Sequence, residues 1–358
     1  MNSLDRRLNV APMMEWTDRH CRYLHRLFAP HALLYTEMIV ASAIVRGDAR
    51  RLLALDPAEH PVALQLGGSD PEELALAARI GEAAGYAEIN LNVGCPSDRV
   101  RSGSFGACLM LRPRLVADCV ERIREAVRVP VTVKCRIGVD ARDTYEFFAQ
   151  FVDAIAAAGI DALIVHARAA ILGGLTPKEN REIPPLKYDY VHRLKRERPD
   201  LAVVLNGGLG DLPSILAHCV PKSSAGGSAA AGGGAAVGGS AAADGSAAVH
   251  TGLDGIMVGR AAYHRPHILA ELETALIDPG WIGPDPEEVI ERMVCYARGQ
   301  TSAGVRLHSI TRHMQGLISG QEGARAWRRF LSDLATRQEA PPEALFAGLP
   351  ILRLRQAA

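Results

Sequence analysis

The chain has 358 residues, of which 48% are hydrophobic, and it carries 40 Lys+Arg against 40 Asp+Glu. That length exceeds one small core and suits a barrel of roughly 250 residues with an appended domain. A formal net charge of zero excludes nucleic-acid binding through overall charge and leaves it to a local basic surface.

Short apolar runs predict strands at 8–11, 33–36, 62–66, 87–91, 131–135, 161–165, 201–205 and 254–258. Helical periodicity lies between them at 72–84, 115–127, 145–158 and 188–196. Eight strands alternating with helices predict an α/β fold, a (β/α)8 TIM barrel; a doubly wound sheet would have fewer strands and a GxGxxG turn after the first, and none is present. Residues 222–249 are nearly all Gly, Ala and Ser, which cannot bury enough apolar surface to offset ordering entropy, so a flexible insertion before the last strand is expected. From about Pro284 the pattern is wholly helical, at 287–301, 306–317 and 324–335. The expected domains are therefore a barrel over 1–284 and an all-α helical domain over 285–358. Six arginines (Arg306, Arg312, Arg325, Arg328, Arg329 and Arg337) share the stretch 306–337 with only Glu322 and Asp333. A solvated helix face is the plain reading of that stretch, and a phosphate-backbone surface the sharper one.

The seven cysteines are scattered, odd in number and without a CxxC pair, which argues for free thiols in a reducing compartment and against a disulfide frame or thiolate metal site. The first residues, MNSLDRRLNVAPMM, lack the apolar stretch of a signal peptide, and no run approaches the roughly 18 apolar residues of a membrane span. A cytoplasmic protein with no metal and no membrane partner is expected.

Active sites of such barrels lie at the C-terminal strand ends. These ends present Pro12-Met13-Met14, Glu37, Gln65, Asn90 and Asn92 leading to Cys95, Lys134 and Arg136, His166 and Arg168, Asn206-Gly207-Gly208, and Gly259-Arg260. Polar groups in apolar strands need partners, and converging partners make a site. Gly207-Gly208 and Gly259-Arg260 follow the last two strands, where barrels often hold a phosphate. The Gln65 amide can pair with the edge of a planar heterocycle, and Lys134 can stabilise negative charge on it, as a reduced flavin requires. Together these read as a flavin mononucleotide site. Cys95, followed by Pro96, sits over the same face. An ordinary thiol titrates near about 8.5 and is mostly protonated at neutral pH, so it can hand a proton to a carbon beside one receiving hydride. A packing role suits Cys119 and Cys219 better, and the nucleophile reading, with Arg99 and Arg101 nearby, is weaker.

The stretches APMMEWTDRHCR (11–22), YTEM (35–38), LQLGG (64–68), EINLNVGCPSDRV (88–100), GSFGACLM (103–110), VTVKCRIGVD (131–140), HAR (166–168), LTPKENREIPPL (175–186), NGG (206–208), GIMVGRAAY (255–263), TRHMQGL (311–317) and ARAWRRFLS (324–332) span nearly the whole chain. In them the sequence resembles the tRNA-dihydrouridine synthases, and closely the A subfamily, which acts at tRNA positions 20 and 20a. The resemblance implies reduction of the C5–C6 bond of D-loop uridine, with hydride from reduced FMN to C6, a proton from Cys95 to C5, and NADPH as reductant. It places Pro12, Met13, Met14, Gln65, Lys134, His166, Asn206, Gly207, Gly208, Gly259 and Arg260 at FMN. It places Asn92, Asn180, Arg181 and Arg312 at tRNA, whose uridine must leave its stack to reach a flavin at the barrel mouth; a monomer is expected. Two features depart from the family: the 222–249 insertion, and Ala169 and Ile171 where the family usually has lysine and tryptophan. A dihydroorotate dehydrogenase-like enzyme would not need the arginine-rich tail, and an RNA-binding protein without catalysis would not need Cys95, Lys134 and His166.

Overall fold

A computed structural model describes residues 4–97, 103–219, 252–337 and 340–353. Its strands are β1 (Leu8–Val10), β2 (Leu33–Tyr35), β3 (Ile39–Val40), β4 (Val62–Gly67), β5 (Glu88–Val93), β6 (Val131–Arg136), β7 (Ala162–His166), β8 (Val203–Asn206) and β9 (Gly255–Val258). All pairs are parallel, in the order β2-β1-β9-β8-β7-β6-β5-β4-β3, and a β2–β4 pairing closes the ring. β2 pairs with the first residues of β4 and β3 with its last, so these two share one strand position, interrupted at 36–38. The result is the expected eight-position parallel barrel.

Strands covered on both faces should be apolar throughout, and β9 (GIMV) is, as is β8 (VVLN) up to its terminal Asn206. Ala11, Leu33, Tyr35, Ala63, Ile164, Val204 and Met257 form a small cluster of their own, apart from the main core under the helices. β5, EINLNV, departs from this: its alternate residues Glu88, Asn90 and Asn92 are polar yet buried, while Ile89, Leu91 and Val93 join the main core, and β6, VTVKCR, alternates in the same way. The surrounding helices begin at side-chain caps: Asp70 for Pro71–Ala83, Thr144 for Tyr145–Ala157 and Asp18 for Arg19–Phe28.

Beyond residue 284 the described elements are all helical, led by Pro286–Ser302 and Ala324–Ala335. The single helix expected over 306–317 is an α-turn, Leu307–Thr311, that tightens into a 3-10 stretch, Arg312–Gly316. There Gly316 lies so close to the backbone of Tyr263 and His264 that a Cβ would stand 2.6 Å from the His264 carbonyl oxygen. The helices share one apolar core with the barrel, in which Leu24 and Phe28 join Val289, Met293, Leu317 and Trp327. Tyr23 stacks on Tyr296 with ring centroids 3.9 Å apart, and the Trp281 Nε1–H donates to the Phe28 carbonyl at 2.9 Å. The insertion expected at 222–249 lies outside the described residues. Among the described residues no helix is long and apolar enough to cross a membrane, and no group of three or more His, Cys, Asp or Glu could hold a metal.

Candidate active site at the barrel mouth

Strand register gathers the site. It sets Gln65 beside Asn90, Asn92 beside Lys134, Arg136 beside His166, and His166 beside Asn206. Lys134 Nζ donates to Asn206 Oδ1 at 3.1 Å, and Asn206 Nδ2 donates to the Met257 carbonyl at 2.7 Å. Gln65 Nε2 donates to Asn90 Oδ1, and Asn92 Nδ2 donates to Gln65 Oε1, each at 2.8 Å.

The cysteine loop is anchored from three directions. The backbone N–H groups of Gly94 and Cys95 donate to Asn92 Oδ1 at 3.1 and 3.0 Å. The Cys95 carbonyl accepts from the Ala107 N–H at 2.9 Å, and the Gly94 carbonyl accepts from Arg136 Nε at 3.2 Å. Cys95 is partly exposed, with its Sγ 3.5 Å from Ser97 Oγ. Arg99 and Arg101 lie outside the described residues.

Burial pulls the Lys134 ammonium down to about 8, and Arg136 pushes the same way. Burial brings the Arg136 guanidinium to about 9, with Arg181 and Arg168 adding to the shift. Burial, then the charges of Arg136 and Lys134, keep His166 neutral, far below the usual imidazole range. Arg168 Nε is buried and has no partner, while Arg260 pairs with Glu182 at 2.5 Å. Cations that depress one another's protonation are suited to an anion.

Gly207 and Gly208 turn with φ of +104° and +70°. A Cβ on Gly207 would lie 2.5 Å from the His166 ring, and one on Gly208 would lie 2.6 Å from the Tyr188 hydroxyl, so only glycine fits this turn. Gly259 lies against Ala11 and Met13, beneath the Pro12-Met13-Met14 segment, in which Met14 is 56% exposed. This donor set, with clustered cations, an orphaned guanidinium N–H, a close glycine turn and the Gln65 amide, fits a phosphate-bearing flavin.

The expected RNA contacts sit differently. Asn180 is fully buried, and its amide bonds the backbone N–H and carbonyl of Ile171 at 2.8 and 2.9 Å, so it staples the 171–180 loop. Arg136 Nη1 donates to the Asn180 carbonyl at 2.9 Å, tying that loop to the cysteine loop. Asn92 is buried and committed to Gln65 and to the cysteine loop. Arg181 is exposed beside Arg260, and Arg312 pairs with Asp18. Sequence reasoning missed an open cleft of about 470 Å³ lined by Arg19, Asp48, Arg50, Arg51 and Ala54. Its arginines come from two separate segments, and only their placement in space assembles it.

These features define a barrel-mouth site that gathers clustered cations, buried amides, a close glycine turn and one anchored thiol. A profile of the dihydrouridine synthase (Dus) family matches residues 9–232 and 241–350. A tRNA-dihydrouridine(20/20a) synthase of Xanthomonas campestris pv. campestris is 51% identical, covering 93% of this chain and 90% of that protein. Synthases of the same description from a Synechocystis strain and from Escherichia coli K12 are 48% and 47% identical, covering 96% and 93% of this chain and 93% and 88% of theirs. The chain belongs to the dihydrouridine synthase family, a family of oxidoreductases.

Proposed function

We propose that this protein reduces the C5–C6 bond of uridine in tRNA to 5,6-dihydrouridine, at D-loop positions 20 and 20a. Support comes from family membership and from the names of the relatives, each matched over most of its length. The observation that carries the chemistry is Cys95, held by three backbone anchors beside Lys134 at the barrel mouth.

In this reading Lys134, Gln65, His166, Asn206 and the turns at Gly207-Gly208 and Gly259-Arg260 hold FMN, with Pro12, Met13 and Met14 at its edge. The bound flavin supplies hydride to C6 and is reduced in turn by NADPH. Cys95 gives its proton to C5, and its anchored backbone fixes the direction of delivery. Charged Lys134 stabilises negative charge on the ring, and His166 stays neutral beside it. Arg181 and Arg312 face the RNA, while Asn92 and Asn180 serve it through the loops they hold. Residues 1–284 carry the flavin and 285–358 the tRNA, in a cytoplasmic monomer. The uridine leaves its stack to reach the mouth.

The test is dihydrouridine content in unmodified tRNA transcripts after incubation with the purified protein, FMN and NADPH, beside a Cys95→Ala variant. Conversion by the wild type and near-loss in the variant is expected. A yellow protein that oxidises NADPH but leaves both transcripts and tRNA from cells lacking the enzyme unreduced would overturn it.

A further inference from the structure

We propose that Glu88 sets the polarity of a buried hydrogen-bond chain that aims Cys95, which makes Glu88 and Thr132 positioning residues for proton delivery; this rests on the uridine-reducing reading above. The chain starts deep in the barrel. Glu88 pairs with Arg6 through Oε2, and its Oε1 accepts from the Tyr35 hydroxyl at 2.8 Å and the Thr132 hydroxyl at 2.5 Å. Thr132 Oγ1 accepts from Asn90 Nδ2 at 2.8 Å. From Asn90 the chain passes through Gln65 and Asn92 to the N–H groups of Gly94 and Cys95. Glu88, Asn90, Thr132 and Gln65 are at most 1% exposed and Asn92 is 8% exposed, so water cannot substitute for a lost partner.

Every link runs in one direction, and the direction has a cause. A carboxylate paired with arginine only accepts, so Thr132 must donate to it. The Thr132 oxygen is then left to accept, which turns Asn90 so that its NH2 faces Thr132 and its oxygen faces Gln65. The same logic turns Gln65 and then Asn92. The oxygen of Asn92 therefore meets the two N–H groups of the cysteine loop. An amide is symmetric in shape but not in polarity; flipping one in this series forces the next to flip. If Thr132 spent its one proton on Asn90 instead of Glu88, each amide would flip, the last would present an NH2 group to two N–H groups, and the loop would lose its anchor. The same series fixes which group Gln65 offers to a ring at the mouth. Aligned hydrogen bonds also polarise one another, which stiffens the series.

Glu88→Gln keeps shape and lets position 88 donate to Thr132 while its oxygen faces Arg6. Thr132→Val keeps shape and removes the relay, and Thr132→Ser restores it. The first readout is amide hydrogen exchange at Gly94 and Cys95. The second separates kcat for dihydrouridine formation from KM for tRNA and from the rate of flavin reduction by NADPH. Thr132→Val and Glu88→Gln are expected to speed exchange at those two amides. They are also expected to lower kcat between about tenfold and a hundredfold, as a misaimed group does, with KM for tRNA unchanged. Thr132→Ser should behave as wild type. Wild-type exchange and kcat in Thr132→Val would overturn the proposal, even if Glu88→Gln fails to fold. A wild-type protein that forms no dihydrouridine would sink the functional reading, while the exchange measurement would still judge the chain.

Discussion

Arg312 and Asp18 meet at 2.6 Å across the seam between the C-terminal helices and the barrel. Asp18 also caps the helix Arg19–Phe28 by accepting from the His20 and Cys21 N–H groups, and His313 Nε2 lies 3.0 Å from it. Burial opposes its ionisation, yet hydrogen bonds from His313, the Cys21 N–H and Arg312 hold its carboxyl well below the usual range. Arg312 is thus pre-oriented, with a third of its side chain open to solvent. Arg312→Glu would set two carboxylates together and remove a phosphate partner. It should weaken tRNA binding by about tenfold or more at low salt while flavin content holds. Asp18→Asn, which keeps the cap, should cost less. Unchanged tRNA affinity in Arg312→Glu, by anisotropy, would remove this arginine from the RNA surface.

The same seam should be acid-sensitive. Burial lowers His20 to about 4 and His25 to about 3, against an ordinary value of 6.5. Their folded pKa values lie below the unfolded ones, so the unfolded chain takes up protons first as pH falls. Stability is retained above 6.5 and is lost as pH drops toward about 4. The melting temperature should fall across that window, and His20→Gln with His25→Gln should flatten the slope. A melting temperature constant from pH 7 to 4.5 would contradict the assignment.

Lys134 titrates near 8 before a ligand arrives. Below that pH it is charged and favours an anionic ring, and above it the charge is lost. FMN affinity, measured by quenching of flavin fluorescence, should therefore weaken as pH rises through about 8. Lys134→Met should bind more weakly, without that dependence. A wild-type profile flat between pH 7 and 9 would argue that Lys134 does not face the flavin.

The cleft lined by Arg19, Asp48, Arg50 and Arg51 adjoins Asp18 through Arg19, and three of its four charged side chains are cationic. It suits a phosphate backbone. Each phosphate neutralised adds about 0.7 to 0.9 to the salt slope of binding, so changing all three arginines to alanine should reduce the slope by about 2 to 3. Identical slopes for variant and wild type would leave the cleft outside the RNA path.

The barrel was legible because its strands are apolar runs at regular spacing, and the mouth because each run ends in polar residues. Ile39–Val40 escaped notice because two residues carry no period. The helix at 306–317 looked continuous, since nothing local shows that Gly316 must press against Tyr263 and His264. The alternation in EINLNV was visible, but not its purpose. Glu88 finds Thr132 through the pairing of β5 with β6 and meets Tyr35 across the interior, so only the closed barrel joins them. The family resemblance alone puts Asn92 and Asn180 at tRNA, and nothing local in the sequence shows which partners their amides take. Here the loop backbone takes up their amides.

The crowding of Lys134, Arg136, Arg168 and Arg181 has a cellular consequence. Their mutual repulsion opposes folding, and an anion seated among them offsets it, so ligand binding should also set resistance to unfolding. Proteases act on what unfolds, and under the proposed function the amount of this protein in a cell would then follow the supply of flavin. A pulse-chase in riboflavin-starved cells would read this as a shortened half-life, and an unaltered half-life would show that turnover is set elsewhere.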